Sequence, residues 1–251
     1  MSSIDSLLAA RPARRTDADA LVAIGCFGLA CVAGLEGAFV GLERLGFWFD
    51  ELFTARLIEP DGTSLMARIA TDMHPPVYLV LLSLYSQVPG DGDAALRSLS
   101  ALAACAAIPV FVTATRRAFS LPGRLFGAAM ATGSLFWFFQ AQNARSYALC
   151  LLISAGILAC CLALLDERQG RGNARLLLGG LIALMFTGLF VHFDVMYESL
   201  AVLIMLFVLS RRYRHVTATA ATALLLASAL YMKLIVEPHA LVSFSDNWYQ
   251  K

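Results

Sequence analysis

Long apolar runs alternate with short polar segments along most of the chain. The runs are approximately 20–42, 75–88, 98–115, 125–142, 147–165, 176–210 and 216–236. A helix needs about 20 apolar residues to cross about 30 Å of hydrocarbon, so several of these runs are long enough to span a membrane. The pattern therefore predicts an all-α polytopic membrane protein.

Two of the runs do not have the length of a single span. The run 75–88 has only 14 residues and directly follows Asp72, His74 and two prolines. The run 176–210 would be about 52 Å long as one helix, and it is interrupted at His192-Phe193-Asp194. We interpret the long run as a hairpin of two shorter helices, 176–191 and 195–210.

The positions of the arginines decide whether the run 75–88 crosses the membrane. They form four clusters: Arg11/14/15, Arg116/117/124, Arg168/171/175 and Arg211/212/214. If 75–88 crosses, three clusters lie outside; if it does not, all four are cytoplasmic. The second arrangement places 12 of the 19 Lys and Arg residues inside, as the positive-inside rule requires. It predicts about seven transmembrane helices and a cytoplasmic tail, 1–19.

Residues 43–97 then form one long outer loop. Two amphipathic stretches in it, 51–58 and 64–70, are predicted to lie along the membrane interface. The run 75–88 becomes a third, half-buried helix, because its two prolines suit a first helical turn. The transmembrane module extends over 20–240, and 241–251 follow as an outer-side segment, where a longer protein could be truncated.

Composition excludes several classes of protein. An apolar fraction of 59% exceeds the roughly 45–50% of soluble domains. The net charge of +1 argues against a nucleic-acid partner. All six cysteines lie inside apolar runs without CxxC spacing, so they indicate neither a disulfide framework nor a zinc site.

With this topology, the unusual polar residues collect on the outer face. The candidates are Asp50, Glu51, Asp72, His74, Arg97, Arg145, Tyr147 and His192. These residues also have purely structural alternatives: solvated interface acids for Asp50 and Glu51, a helix N-cap for Asp72, a packing role for His74, snorkelling arginines, or a polar hairpin turn for His192 and Asp194. As a set they combine carboxylates that can act as general bases with arginines that can hold a phosphate.

Five motifs, in order, resemble the GT-C membrane glycosyltransferases, in particular glycosyltransferase family 39. That family includes protein O-mannosyltransferases and lipid A aminoarabinose transferases. The matching elements are Asp50-Glu51 after the first span, Asp72 to Pro76 (D-x-H-P-P), Arg97 to Ala101 (R-x-P-S-A), Gln142 to Tyr147 (Q-E-A-R-x-Y) and His192-Phe193 (His-Tyr). The departures from the family pattern are Leu99, Asn143 and Phe193.

The resemblance implies a function and roles for the candidates. It implies inverting transfer of a sugar from a polyprenyl phosphate to a lipid, glycan or protein acceptor, on the outer face of the bacterial inner membrane. Asp50 would be the general base, while Glu51 and Asp72 would shape the site. Arg145, with Tyr147 and Arg97, would hold the donor phosphate, and His74 and His192 would complete the substrate site by lining the cavity or by binding an ion. A carboxylate-rich site admits a divalent cation, but no residue is assigned as a metal ligand.

Two other functions remain open. The resemblance covers only the N-terminal module of a family whose members are usually longer. The chain could therefore be a truncated module that binds a lipid-linked sugar without turnover. It could also be a small transporter, with Glu36 inside the first span and the outer polar cluster on the path. Lys233 is the other charge near the outer end of a span.

Overall fold

The structure is a computed structural model that describes residues 17–89, 92–166 and 171–238. Most of the predicted tail 1–19 and all of the segment 241–251 lie outside these residues. The described part of the chain is helical and contains no strand. Its α-helices are α1 Asp17–Gly37, α2 Phe49–Ile58, α3 Leu65–Ile69, α4 Val77–Ser86, α5 Asp93–Ala114, α6 Leu121–Thr132, α7 Leu135–Ala141, α8 Tyr147–Leu164, α9 Arg171–Leu189, α10 Asp194–Leu209 and α11 Arg214–Tyr231.

Four helical segments are long and apolar enough to cross a membrane. They are Asp17–Gly37, Asp93–Arg117, Tyr147–Leu164 and Arg211–Val236. The second and fourth include short 3₁₀ turns, and the fourth ends in a π-helical turn over Met232–Val236. The all-helical fold and the capacity to span a membrane are therefore confirmed for the described residues, whereas the count of about seven spans is not.

The other three predicted spans are interrupted or short. The run 125–142 divides into α6 and α7, because Ser134 begins a new helix by accepting a hydrogen bond from Trp137 N–H at 3.1 Å. This is the ordinary action of a serine N-cap. The hairpin 176–210 does form two helices, α9 and α10, but the apolar part of α9 and the 16-residue α10 fall below span length.

The first span ends earlier than the apolar run predicts. Helix α1 stops at Gly37, and Gly41 adopts a positive φ of 79°, a conformation that glycine adopts readily. The side-chain amide of Gln142 donates to the carbonyls of Gly37 and Val40 at 3.0 and 2.9 Å. The Gly37 carbonyl also accepts from Val40 N–H at 3.3 Å, and the amide of Gln142 adds a second donor at this helix end, where carbonyls lack intrahelical partners. Glu36 therefore sits in the last turn of α1 and is exposed, not in mid-span.

The loop between α1 and α5 contains the three predicted short helices. They are α2, α3 and α4, close to the predicted 51–58, 64–70 and 75–88. Helix α4 has 10 residues, which is about 15 Å, half of a membrane crossing. It is joined to the end of α9 by a hydrogen bond from Val77 N–H to the Phe190 carbonyl at 3.0 Å.

Three apolar clusters hold the helices together. One joins α8, α9, α10 and α11, and another joins α1 to α5, α6, α7 and α8. In the second, Ala101 and Ala104 of α5 and Ala148 of α8 are fully or almost fully buried. Small residues of this kind let helix backbones approach closely. The third cluster joins α2, α3 and α4 to the start of α5.

The bundle has two chemically different ends. The site end is defined by Glu51, Arg97 and Arg145, where the loop helices meet the starts of α5 and α8. The arginine end is defined by Arg116, Arg117 and Asp166, where α5 and α8 finish. An ion pair between Arg117 and Asp166 joins the two helices there. Residues that the arginine count assigns to the outer and inner faces thus lie at opposite ends.

Candidate functional site

Glu51 and Arg97 form a buried ion pair at the base of the site. Arg97 Nε–H and Nη2–H donate to the two carboxylate oxygens at 2.9 and 2.6 Å. The remaining donors of Arg97 reach the carbonyls of Leu42 and Leu45 at 2.6 Å and of Gly46 at 3.2 Å. A guanidinium has five N–H donors, and all five are directed at protein acceptors. Arg97 therefore has no donor free for a substrate phosphate.

Glu51 is equally occupied. Its side chain is 0% exposed and accepts from Ala144 N–H at 2.7 Å and from Trp48 N–H at 3.4 Å. These contacts connect α2 to the segment between α7 and α8 that carries Arg145. The contacts of Glu51 thus position the site. Arg97 shares that role and is not placed as a donor ligand.

Arg145 contacts a second cluster of polar side chains, formed by Thr54, His74 and Asp72. Its Nη1–H donates to the hydroxyl of Thr54 at 3.1 Å, and its Nη2 contacts Nε2 of His74 at 3.4 Å. Nδ1 of His74 lies 2.8 Å from the Asp72 carboxylate. These distances let the Nδ1–H of His74 donate to Asp72 while its Nε2 accepts from Arg145. The result is a chain of contacts from carboxylate to imidazole to guanidinium.

Asp72 is charged within this chain. Burial raises the pKa of its carboxyl, but the hydrogen bonds from the His74 ring and from the backbone N–H groups of His74 and Met73 outweigh burial. The net pKa is therefore lowered. The N-cap of α4 is Pro76, not Asp72. The helix-cap alternative thus does not account for this aspartate, whereas the contact with His74 does.

A small cavity lies between these groups. Its volume is about 20 Å³, and it is lined by Thr54, Asp72, His74, Pro75, Tyr78, Leu79, Arg145, Ser146 and Val191. This space holds about one water molecule. The cavity is therefore closed to a sugar phosphate in this conformation, and any such ligand requires the walls to separate.

Two other predicted residues stand next to the cavity. The rings of Tyr147 and His192 have centroids 5.2 Å apart. Burial lowers the pKa of His192; the charge of Asp194 opposes this effect, while the guanidinium charge of Arg145 reinforces it. His192 also accepts a hydrogen bond from Asp194 N–H at 3.2 Å, so it forms the hairpin turn as well as bordering the site.

Asp50 lies slightly apart from the others. It is half-buried on α2, one turn before Thr54, whose hydroxyl donates to the Asp50 carbonyl at 2.9 Å. Its carboxylate has no protein partner among the described residues and does not line the cavity. It is therefore a free carboxylate, about 6 Å along the same helix face from a residue that contacts Arg145.

Three residues of the site, Thr54, Tyr78 and Tyr231, carry no signal in the sequence, whereas a fourth, Ser100, belongs to the Arg97 to Ala101 motif. Thr54 contacts Arg145, and Tyr78 contacts Ser100 at 3.3 Å. Ser100 in turn donates to the Arg145 carbonyl at 3.2 Å. Tyr231 donates to the His74 carbonyl at 3.2 Å, across 157 residues of sequence. Hydroxyls on apolar helices are common, and only the packing of α2, α4, α5 and α11 brings these together.

The groups of the transporter alternative are not assembled. Glu36 and Lys233 are both exposed on their helices. Glu198 of α10, which the sequence did not single out, accepts a hydrogen bond from Ser154 of α8. Among the described residues, no three His, Cys, Asp or Glu side chains are grouped as metal ligands would be.

Comparisons with protein-family models, with curated proteins and with solved structures returned no match for this chain.

Proposed function

We propose that the protein is a membrane glycosyltransferase that moves a sugar from a polyprenyl phosphate to an acceptor hydroxyl. The observation that carries the proposal is that Arg145 is buried but has N–H donors without a protein acceptor in the described part of the chain. Its side chain is nine-tenths buried, yet it contacts only two protein acceptors among the described residues. Three of its five N–H donors are thus open to a ligand.

A lipid phosphate matches these open donors. Guanidinium groups bind phosphate oxygens through paired, charge-assisted hydrogen bonds. The contrast with Arg97 supports the assignment, because all five N–H donors of Arg97 bind protein acceptors. Arg145 would hold the donor phosphate and stabilise the charge that builds on it as the sugar leaves. Tyr147, His74 and His192 would border the bound donor.

Asp50 supplies the base in this proposal. The acceptor hydroxyl loses its proton to the Asp50 carboxylate while its oxygen forms a bond to the anomeric carbon. The bond from that carbon to the phosphate oxygen breaks on the opposite side, which inverts the anomeric centre. The electron pair leaves with the polyprenyl phosphate, next to Arg145. Asp72 keeps His74 oriented and needs no proton of its own.

The cavity has to open for this reaction. Its space of about 20 Å³ is far below the roughly 300–1,000 Å³ of ligand pockets. Tyr231 donates to His74 from the last turn of α11, directly before the π-helical turn Met232–Val236. Single π-turns are frequent at functional sites. Movement of this segment away from α4 is the opening that the proposal requires.

A second candidate is a module that binds a lipid-linked sugar without turnover. The observation in its favour is that Asp50, the proposed base, does not line the cavity. In this case donor binding through Arg145 remains, but no sugar is transferred. For both candidates we place the protein in the bacterial inner membrane, with its N-terminus cytoplasmic and the site end outward.

The decisive experiment separates binding from transfer. The full chain is reconstituted in lipid vesicles with labelled polyprenyl-phosphate sugars and envelope extracts that contain lipid, glycan and protein acceptors. We expect label to leave the donor with wild type, and Asp50→Asn to bind donor but not transfer. Transfer by Asp50→Asn at the wild-type rate would exclude Asp50 as base. Binding without transfer by wild type would favour the second candidate.

A further inference from the structure

At the arginine end a second, larger cavity lies between the last turns of α5 and α8. Its volume is about 520 Å³. Its charged lining residues are Arg116, Arg117 and Asp166. The spanning segment that separates this cavity from the candidate site has 25 residues, about 37 Å of helix. The two cavities are therefore independent.

The cavity combines one unpaired cation with a paired one. Arg117 is held by its ion pair with Asp166. Arg116 is exposed and forms no hydrogen bond or ion pair with the described residues. The carbonyls at the ends of α5 and α8 carry partial negative charge, which stabilises guanidinium groups at this position. With one acid and two arginines in its lining, the cavity has a net charge of +1.

The opposite wall of the cavity is apolar and is formed by α8 and the residue directly after it. It consists of Ala159, Leu162, Ala163 and Leu165. Two of the four segments able to span a membrane finish here, at Arg117 and at Leu164. A surface at which two spans end lies at the boundary between hydrocarbon and water. Lipid phosphates occupy that boundary, and acyl chains lie directly beside it.

We propose that this cavity binds the headgroup of an anionic phospholipid. Arg116 contacts the phosphate, Arg117 is oriented beside it by Asp166, and the first part of an acyl chain lies along the α8 wall. Charge and shape both select this occupant: the arginines match a phosphate, and the alanines and leucines match a chain that free phosphate lacks. Basic pockets between membrane helices bind anionic headgroups for the same reasons.

Native mass spectrometry of the full chain in neutral detergent tests the proposal. The probes are dioleoyl phosphatidylglycerol, dioleoyl phosphatidylcholine and inorganic phosphate. Wild type should retain phosphatidylglycerol in preference to phosphatidylcholine. Arg116→Gln should lower the affinity for phosphatidylglycerol about tenfold or more, since it removes a charged hydrogen bond. Arg116→Lys should keep part of that affinity.

Two further variants make the test specific. Ala159→Phe fills the apolar wall without changing charge, and we expect it to weaken binding of phosphatidylglycerol. The matched control is Arg211→Gln, which removes an exposed arginine that does not line the cavity and should leave binding within about twofold, since a charge outside the cavity acts on the headgroup only through screening solvent. A melting curve for each variant confirms that it is folded.

Three results would overturn the inference. Equal binding of the two phospholipids would mean that charge does not select the ligand. An equal loss in Arg211→Gln and Arg116→Gln would mean general attraction to a basic surface. Displacement of phosphatidylglycerol by an equal concentration of inorganic phosphate would identify a site for soluble phosphate. None of these results bears on sugar transfer at the other end of the protein.

Discussion

Arg97 donates a hydrogen bond to each carboxylate oxygen of Glu51, at 2.9 and 2.6 Å. The two side chains are 7% and 0% exposed, and together they connect α2, α5 and the turn after α1. Five hydrogen bonds from Arg97 leave it no capacity to bind a ligand. The pair is the frame on which the neighbouring Arg145 is positioned.

Glu51→Gln should strongly destabilise the protein. The substitution keeps the shape of the side chain but leaves the Arg97 charge buried without a counterion. It also replaces one carboxylate oxygen by an NH2 group, which cannot accept the hydrogen bonds that this oxygen receives. Loss of one partner from a buried pair costs about 3–5 kcal/mol of unfolding free energy. The measurement is unfolding by dodecyl sulfate in mixed micelles.

The control for this prediction is Asp61→Asn. It breaks the pair between Arg68 and Asp61, whose aspartate side chain is 56% exposed. Because exposed pairs are screened by water, this variant should change stability far less. If the two variants were equally stable, the Glu51–Arg97 pair would not be the buried frame described above.

The sequence predicted the short helices of the loop because their signals are local. Pro75 and Pro76 mark a first turn, and Glu59 to Gly62 separate the two stretches before it. The helices α2, α3 and α4 follow these signals within a few residues. The gathering of Asp72, His74 and Arg145 at one end was also predictable, because the arginine count assigns all three residues to the same face of the membrane.

The roles of individual residues were less predictable. Arg97 was predicted to bind the sugar donor. Its hydrogen-bond partners include the backbone carbonyls of Leu42, Leu45 and Gly46. Every residue has a carbonyl, so the sequence does not show which carbonyls an arginine will contact. The count of seven spans is not confirmed, and here too the cause is a local contact that hydropathy does not register. A single Ser134 that caps a new helix divides a run that hydropathy treats as continuous.

Gly188→Ala should disturb the hairpin that carries His192. A Cβ at this position would overlap Val195 Cγ1 and approach Ile153 Cγ2 to 3.2 Å, so α8, α9 and α10 would have to separate. Overpacking of this kind costs about 1–3 kcal/mol. Unfolding by dodecyl sulfate measures the loss.

Gly179 of the same helix provides the comparison. A Cβ there meets nothing within 4 Å. Gly179→Ala should therefore stabilise the protein by about 0.5–1 kcal/mol, through the ordinary preference of a helix for alanine. Identical effects of the two substitutions would contradict the close packing at Gly188.

His192 should make stability depend on pH. Burial lowers its pKa below the ordinary 6.5, so the unfolded chain takes up the proton before the folded chain does. As pH falls through the ordinary value toward the lower folded value, the unfolded state binds more protons and stability decreases. Unfolding curves at about pH 7.5 and about pH 5.5 should therefore differ less in His192→Gln than in wild type.

His215→Gln is the reference for this experiment, because His215 is exposed at the start of α11. Its pH dependence should match that of wild type. A wild-type slope in His192→Gln would show that the imidazole of His192 is not held in its neutral form by the fold.

Arg145→Lys should weaken binding of a polyprenyl-phosphate sugar by about tenfold or more. Lysine keeps the charge but loses the planar fork that reaches Thr54, His74 and a phosphate at once. Equilibrium binding of labelled donor to vesicles measures the change. Arg56→Lys is the matched control, since Arg56 is exposed in the last turn of α2 and should bind donor as wild type does. Unchanged affinity in Arg145→Lys would move the phosphate site elsewhere, because no other arginine at this end combines burial with open donors in the described part of the chain.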